Sequence, residues 1–163
     1  MKTLYVARHA TAETHSPTGT DFDRPLAARG ELEIEAMAAR TRDLALGLDL
    51  ILASPAARTL ATAAAYQRAF GLADAHFKTS RTIYSAESGH LVDVVQALPA
   101  GADRILVVGH NPVISQLARW LADTDDFAEF VPATVAVYEI DIDRWADVDP
   151  SLTRLVARLA PQT

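Results

Sequence analysis

Three short stretches of this chain place arginine or histidine beside turn-forming residues: Arg8-His9-Ala10, Ser54-Pro55-Ala56-Ala57-Arg58 and Gly109-His110-Asn111-Pro112. A guanidinium stays charged and meets two phosphate oxygens at once, so Arg8 and Arg58 suit a dianionic phosphoryl group. A histidine is nucleophilic when neutral, and neighbouring arginines disfavour its protonated form by like-charge repulsion. His9, directly beside Arg8, fits that role. A second histidine can donate to the equatorial oxygens of a phosphoryl group in transfer, where transition-state charge spreads, and His110 is assigned to it. Backbone N–H groups at the helices opened by Ser54-Pro55 and Asn111-Pro112 add anion affinity without a formal charge.

The elements that must hold these groups follow from periodicity and turn chemistry. Residues 3–7 (TLYVA) read as a short buried strand that ends just before Arg8-His9. Residues 11–24 are polar, contain Pro17 and Gly19, and form a loop of a length usually kept for function. Helical spacing from Pro25 to about Leu46 predicts one long amphipathic helix with Pro25 in its first turn. Residues 50–53 give a second strand, and Ser54-Pro55 an N-cap and first-turn proline for a helix over 55–70, with Arg58 in its first turn. A strand at 75–79, a helix at 87–98, an apolar strand at 105–108, a helix at 112–122 and strands at 134–140 and 152–159 complete the chain. This alternation predicts an α/β fold, an αβα sandwich around a largely parallel sheet, and such sheets bind ligands outside the carboxyl ends of their strands. All three Arg/His stretches fall at such ends.

Composition narrows the chemistry. At 163 residues, half of them hydrophobic, the chain can bury one substantial core, and residues 1–163 are read as a single domain. It has no cysteine, which excludes disulfides, thiolate metal sites and a cysteine nucleophile. A net charge of −6 without a basic run argues against a nucleic-acid or membrane-surface binder, so any anion site is local. Arg8 and His9 interrupt the first apolar run before it reaches signal or membrane length, which points to a cytoplasmic protein. No phosphate-binding or dinucleotide glycine motif and no H-E-x-x-H is present, so no cofactor and no metal are expected. His15, His76 and His90 read as structural or exposed, and Asp141 and Asp143 as a solvated strand end. Each Arg/His stretch alone could be a strand terminus, a cap or a surface charge; three in order at strand ends favour one site.

Residues 4–10 (LYVARHA), 54–61 (SPAARTLA) and 107–112 (VVGHNP) resemble the histidine phosphatase superfamily, also called phosphoglycerate mutase-like. The resemblance implies a three-layer αβα fold, a phosphohistidine intermediate on His9, a phosphate pocket from Arg8, Arg58 and His110, and no metal. Asp23-Arg-Pro-Leu26 followed by Arg29-Gly30 is similar to the small SixA-type phosphohistidine phosphatases and implies that Arg24 lies near the pocket. Arg24 and Asn111 complete the expected substrate-binding set. Ala10 stands where the superfamily often has glycine, so this position does not require a positive φ. Many members place a glutamate acid after the third strand; the match here is Glu87, which equally suits the first turn of a helix, and Asp23 is a second candidate. The expected function is phosphohydrolase action on a phosphohistidine protein. A phosphatase of small phosphorylated metabolites and a non-catalytic phosphate-binding module are the alternatives, and a mutase would need further segments to enclose its intermediate.

Overall fold

The computed structural model describes residues 1–162. Six strands form one sheet in the order β3-β2-β4-β1-β5-β6: β1 (Lys2–Arg8), β2 (Leu50–Ala53), β3 (Phe77–Thr79), β4 (Arg104–Gly109), β5 (Val135–Ile140) and β6 (Thr153–Leu159). The first four run parallel; β5 pairs antiparallel with β1, and β6 with β5. The side chains of β1 alternate between faces, as the two-residue period of a strand requires. Leu4 and Val6 pack on one side, against α3 (Arg81–Ser85), α4 (His90–Gln96) and α5 (Val113–Ala122). Tyr5 and Ala7 pack on the other, against α1 (Ala28–Arg42) and α2 (Ala57–Phe70). Ile34, Met37, Ala38 and Thr41 form the buried stripe of α1 at helical spacing. The result is the expected αβα sandwich, with a central sheet buried on both faces.

Several boundaries differ from expectation for local reasons. The helix expected from Pro25 begins at Ala28, because the Pro25 carbonyl accepts the Glu13 N–H and Leu26 bridges Ala12. It ends at Arg42, and Ala45 adopts a positive φ of 58°. The helix expected over 87–98 is α4 alone, which starts at His90 after Gly89 takes a φ of 87° that other residues rarely adopt and ends at Gln96, while the short α3 ahead of it is not among the expected elements. Ser54 does not cap α2. Ala56 occupies the cap position, and Ser54 turns toward the site.

Gly30 lies in the first turn of α1, where a Cβ would sit 2.0 Å from the Thr11 carbonyl oxygen. Only glycine lets the helix pass this close to the loop that leaves β1. No helix of the described residues is long and apolar enough to cross a membrane.

Candidate active site

Strand order brings the three Arg/His stretches together. β4 lies between β1 and β2, with Arg8 opposite Gly109 and Ala53 opposite Val108. The next residue of each strand therefore leaves the sheet edge beside its neighbour, and the rings of His9 and His110 have centroids 5.5 Å apart. The His9 backbone is held at both ends, its N–H donating to the Gly109 carbonyl and its carbonyl accepting from the Ala133 N–H. The next peptide is fixed from α2, whose Thr62 hydroxyl accepts the Ala10 N–H at 3.0 Å.

Nδ1 of His9 lies 2.7 Å from the Ala10 carbonyl oxygen. A carbonyl only accepts, so Nδ1 carries the hydrogen and the lone pair of the neutral ring sits on Nε2. Burial is the main influence on this ring, and together with Arg58, Arg8 and Arg24 it lowers the pKa to about 4 even though the bond to Ala10 favours the charged form. His110 is lowered to about 3, again by burial first and then by Arg58 and His9. Both rings are therefore neutral at physiological pH, the state in which Nε2 of His9 keeps a lone pair that can act as a nucleophile. Nε2 of His110 meets the Ser54 hydroxyl at 2.7 Å, while its Nδ1 is buried without a partner among the described residues.

Both arginines are anchored by terminal nitrogens. Arg8 donates from Nη1 to the Phe130 carbonyl at 2.8 Å, and Arg58 donates from Nη1 and Nη2 to the carbonyl and carboxylate of Asp21 at 2.9 and 3.0 Å. The Nε–H of each is buried with no protein partner among the described residues. Unmade buried donors are costly and need an explanation. Two guanidinium Nε–H groups and a histidine Nδ1, all on groups packed around the His9 ring, are matched by an oxyanion. Among the described residues no group of three or more metal-ligating side chains gathers anywhere.

The remaining expected residues have distinct places. Arg24 bonds Asp21 and the Glu13 carbonyl, so it stands at the site's rim through Asp21. The Asn111 amide donates to the same Phe130 carbonyl that holds Arg8, and its oxygen accepts from Ser115. It braces the segment leading into β5. Glu87 lies exposed on the turn between α3 and α4, and its carboxylate has no hydrogen bond or ion pair among the described residues. Asp23 accepts from the Thr18 and Thr20 hydroxyls within its own loop. His15, His76 and His90 are exposed, as expected.

Two site residues escaped the sequence reading. Asp21, in the short 3-10 turn Asp21–Asp23, receives hydrogen bonds from Arg58, Arg24 and Tyr84. Tyr84 also packs its ring edge-to-face on His110, with centroids 5.6 Å apart. The signal for Asp21 was the doubled acid of Asp-Phe-Asp beside Arg24; Tyr84 carried none.

Comparison with known proteins agrees with this geometry. Residues 4–80 match the histidine phosphatase superfamily (branch 1). The uncharacterized protein Rv1276c of Mycobacterium tuberculosis is 31% identical over 165 residues, spanning 95% of this chain and 99% of that one. The crystal structure of a candidate phosphohistidine phosphatase SixA from Agrobacterium tumefaciens superposes with a TM-score of 0.83 at 30% identity over 98% of both chains. A second such SixA, from Nakamurella multipartitia, gives 0.83 at 28% identity over 99% of this chain and 97% of the other.

Proposed function

The chain belongs to the histidine phosphatase superfamily, in its SixA-type branch, and on that footing we propose that it hydrolyses phosphohistidine in proteins through a phosphoenzyme on His9. The observation that carries this is the pairing of two neutral histidines with two anchored arginines at the ends of three adjacent parallel strands. Nε2 of His9 attacks phosphorus while Nδ1 stays bound to Ala10. Arg8 and Arg58 neutralise the equatorial oxygens through the Nε–H groups that have no protein partner, and His110 donates from Nδ1. The positive charge at the phosphoryl group comes from guanidinium, so a metal has no assigned step. Water then attacks the phosphoenzyme on the face the leaving group has vacated.

The choice of phosphohistidine rests on leaving-group chemistry. An alkoxide must be protonated as it departs, which calls for a positioned acid. Imidazole titrates near 6.5, so a phosphorylated ring can arrive protonated and leave neutral without one. The exposed, unpaired Glu87 is the proposed acid only for alkyl phosphates, and a metabolite phosphatase is the reading its activity would favour.

Brief incubation with a labelled phosphodonor should leave acid-labile, alkali-stable label that disappears in His9→Ala and is indifferent to chelators. Label retained in His9→Ala would reject the nucleophile. With substrates of graded leaving-group pKa, Glu87→Gln should leave phosphohistidine turnover unchanged and slow alkyl phosphates alone by roughly 10²–10⁴. Faster wild-type turnover of an alkyl phosphate than of phosphohistidine would reject the substrate.

A further inference from the structure

Asp21 is the one carboxylate bonded directly to the phosphate-binding arginine among the described residues. Its Oδ2 accepts from Arg58 Nη2 at 3.0 Å and from the Tyr84 hydroxyl at 2.9 Å, and its Oδ1 accepts from Arg24 Nε at 3.0 Å. About half of its side chain remains exposed, whereas Arg58 is almost wholly buried. The carboxylate therefore lies on the solvent side of the arginine it binds. A polar depression of about 320 Å³ opens beside it, lined by Thr14, His15, Ser16 and Thr20 together with Asp21 and Arg24.

This placement bears on the part of the substrate that leaves. His9 is buried, and the half-exposed Asp21 touches both Arg58 and Tyr84, whose ring packs on His110, so a leaving group that moves from His9 toward solvent past these side chains meets Asp21. Two of the Arg24 nitrogens, Nε and Nη1, are turned to Asp21 and to the Glu13 carbonyl. Oδ1 has accepted one hydrogen and can accept another.

We infer that Asp21 is a specificity-determining residue, whose carboxylate accepts the ring N–H of a protonated N-phosphoryl imidazole and so selects phosphoramidates over phosphate esters. The inference rests on the phosphatase reading above. In the step it assists, the lone pair of His9 Nε2 forms the new P–N bond and the substrate's P–N bond breaks, its electron pair returning to the leaving ring nitrogen. The proton on the other ring nitrogen stays there, facing Asp21, and the ring departs neutral. The phosphorylated His9 ring keeps its Nδ1–H on Ala10, so charge and protons balance without an added acid.

The test compares kcat/KM for phosphohistidine and for 4-nitrophenyl phosphate, whose leaving group needs no proton, in wild type, Asp21→Asn and Asp21→Glu. Asp21→Asn should lower the phosphohistidine to aryl-phosphate ratio about tenfold, the scale of one charge-assisted hydrogen bond, and Asp21→Glu should restore most of it. Equal losses on both substrates would overturn the inference and reduce Asp21 to a prop for Arg58. Asp21→Ser, uncharged but polar, replaces Asp21→Asn in the comparison if the latter does not fold. Absence of wild-type turnover on both substrates would instead reject the phosphatase reading itself, so the two failures are distinguishable.

Discussion

Nε2 of His110 lies 2.7 Å from the Ser54 hydroxyl, whose oxygen also accepts the Ala56 N–H at 3.3 Å. With its oxygen accepting from that backbone donor, the hydroxyl still has its own hydrogen to give to Nε2. In that arrangement the ring hydrogen of neutral His110 sits on Nδ1, the atom without a partner among the described residues. On the proposed function, Ser54 is a positioning residue that favours the tautomer able to donate to a phosphoryl oxygen.

Ser54→Ala should therefore lower kcat roughly tenfold through loss of one orienting hydrogen bond, with KM changed much less. The check is the split between kcat and KM, together with ring-nitrogen NMR shifts of His110. A mixed tautomer population is expected in the variant, and unchanged shifts would contradict the assignment.

Acid should destabilise this protein earlier than its carboxylates alone would dictate. Unfolded, His9 and His110 take up protons near pH 6.5, whereas folded they do so only near 4 and 3. Between those limits the unfolded chain binds more protons, so the stability that both neutral rings contribute is complete above 6.5 and is lost as pH falls toward 3. Thermal midpoints should decline across this window, and less steeply in His110→Gln. Ring resonances of both histidines should stay unshifted in NMR titration down to about pH 5; midpoints near 6.5 would refute the burial argument.

Gly30→Ala sets two effects against each other. Alanine is the better helix former by about 1 kcal/mol, yet its Cβ would meet the Thr11 carbonyl at 2.0 Å, and that carbonyl also accepts the Ala27 N–H. The clash should prevail, giving net destabilisation of about 1–3 kcal/mol and reduced turnover, because Thr11 is two residues from His9. Gly101→Ala, where a Cβ meets nothing within 4 Å, is the control. Denaturant unfolding of both variants decides it.

What the sequence reading recovered and what it missed have different physical origins. The strand ends were legible because a two-residue period and a break into Arg or His mark where a buried strand stops, and Leu4 with Val6 and Tyr5 with Ala7 do divide between the two faces. The parallel sheet then makes neighbours of residues a hundred positions apart. Asp21 and Tyr84 come to the site from a loop and a five-residue helix, segments without a period to fix where a side chain points. Ser54 illustrates a different limit: Ser-Pro before a helix is sound cap chemistry, but the histidine just after β4 competes for the same hydroxyl. Pro25 likewise has a helix-starting residue type, and a cross-loop bridge at Leu26 displaced the start.

The insertion of β4 between β1 and β2 has a consequence for the order of events during synthesis. His9, Arg24 and Arg58 all leave the ribosome before Arg104 does, yet β1 and β2 touch no common partner strand until β4 arrives to fill the gap between them. A nascent or truncated chain that stops short of β4 carries the nucleophile and its arginines without the strand that sets them side by side. On the proposed function, an unfinished chain that lacks β4 has no assembled site, and Arg8 and His9 gain their anchors at Phe130 and Ala133 only later still.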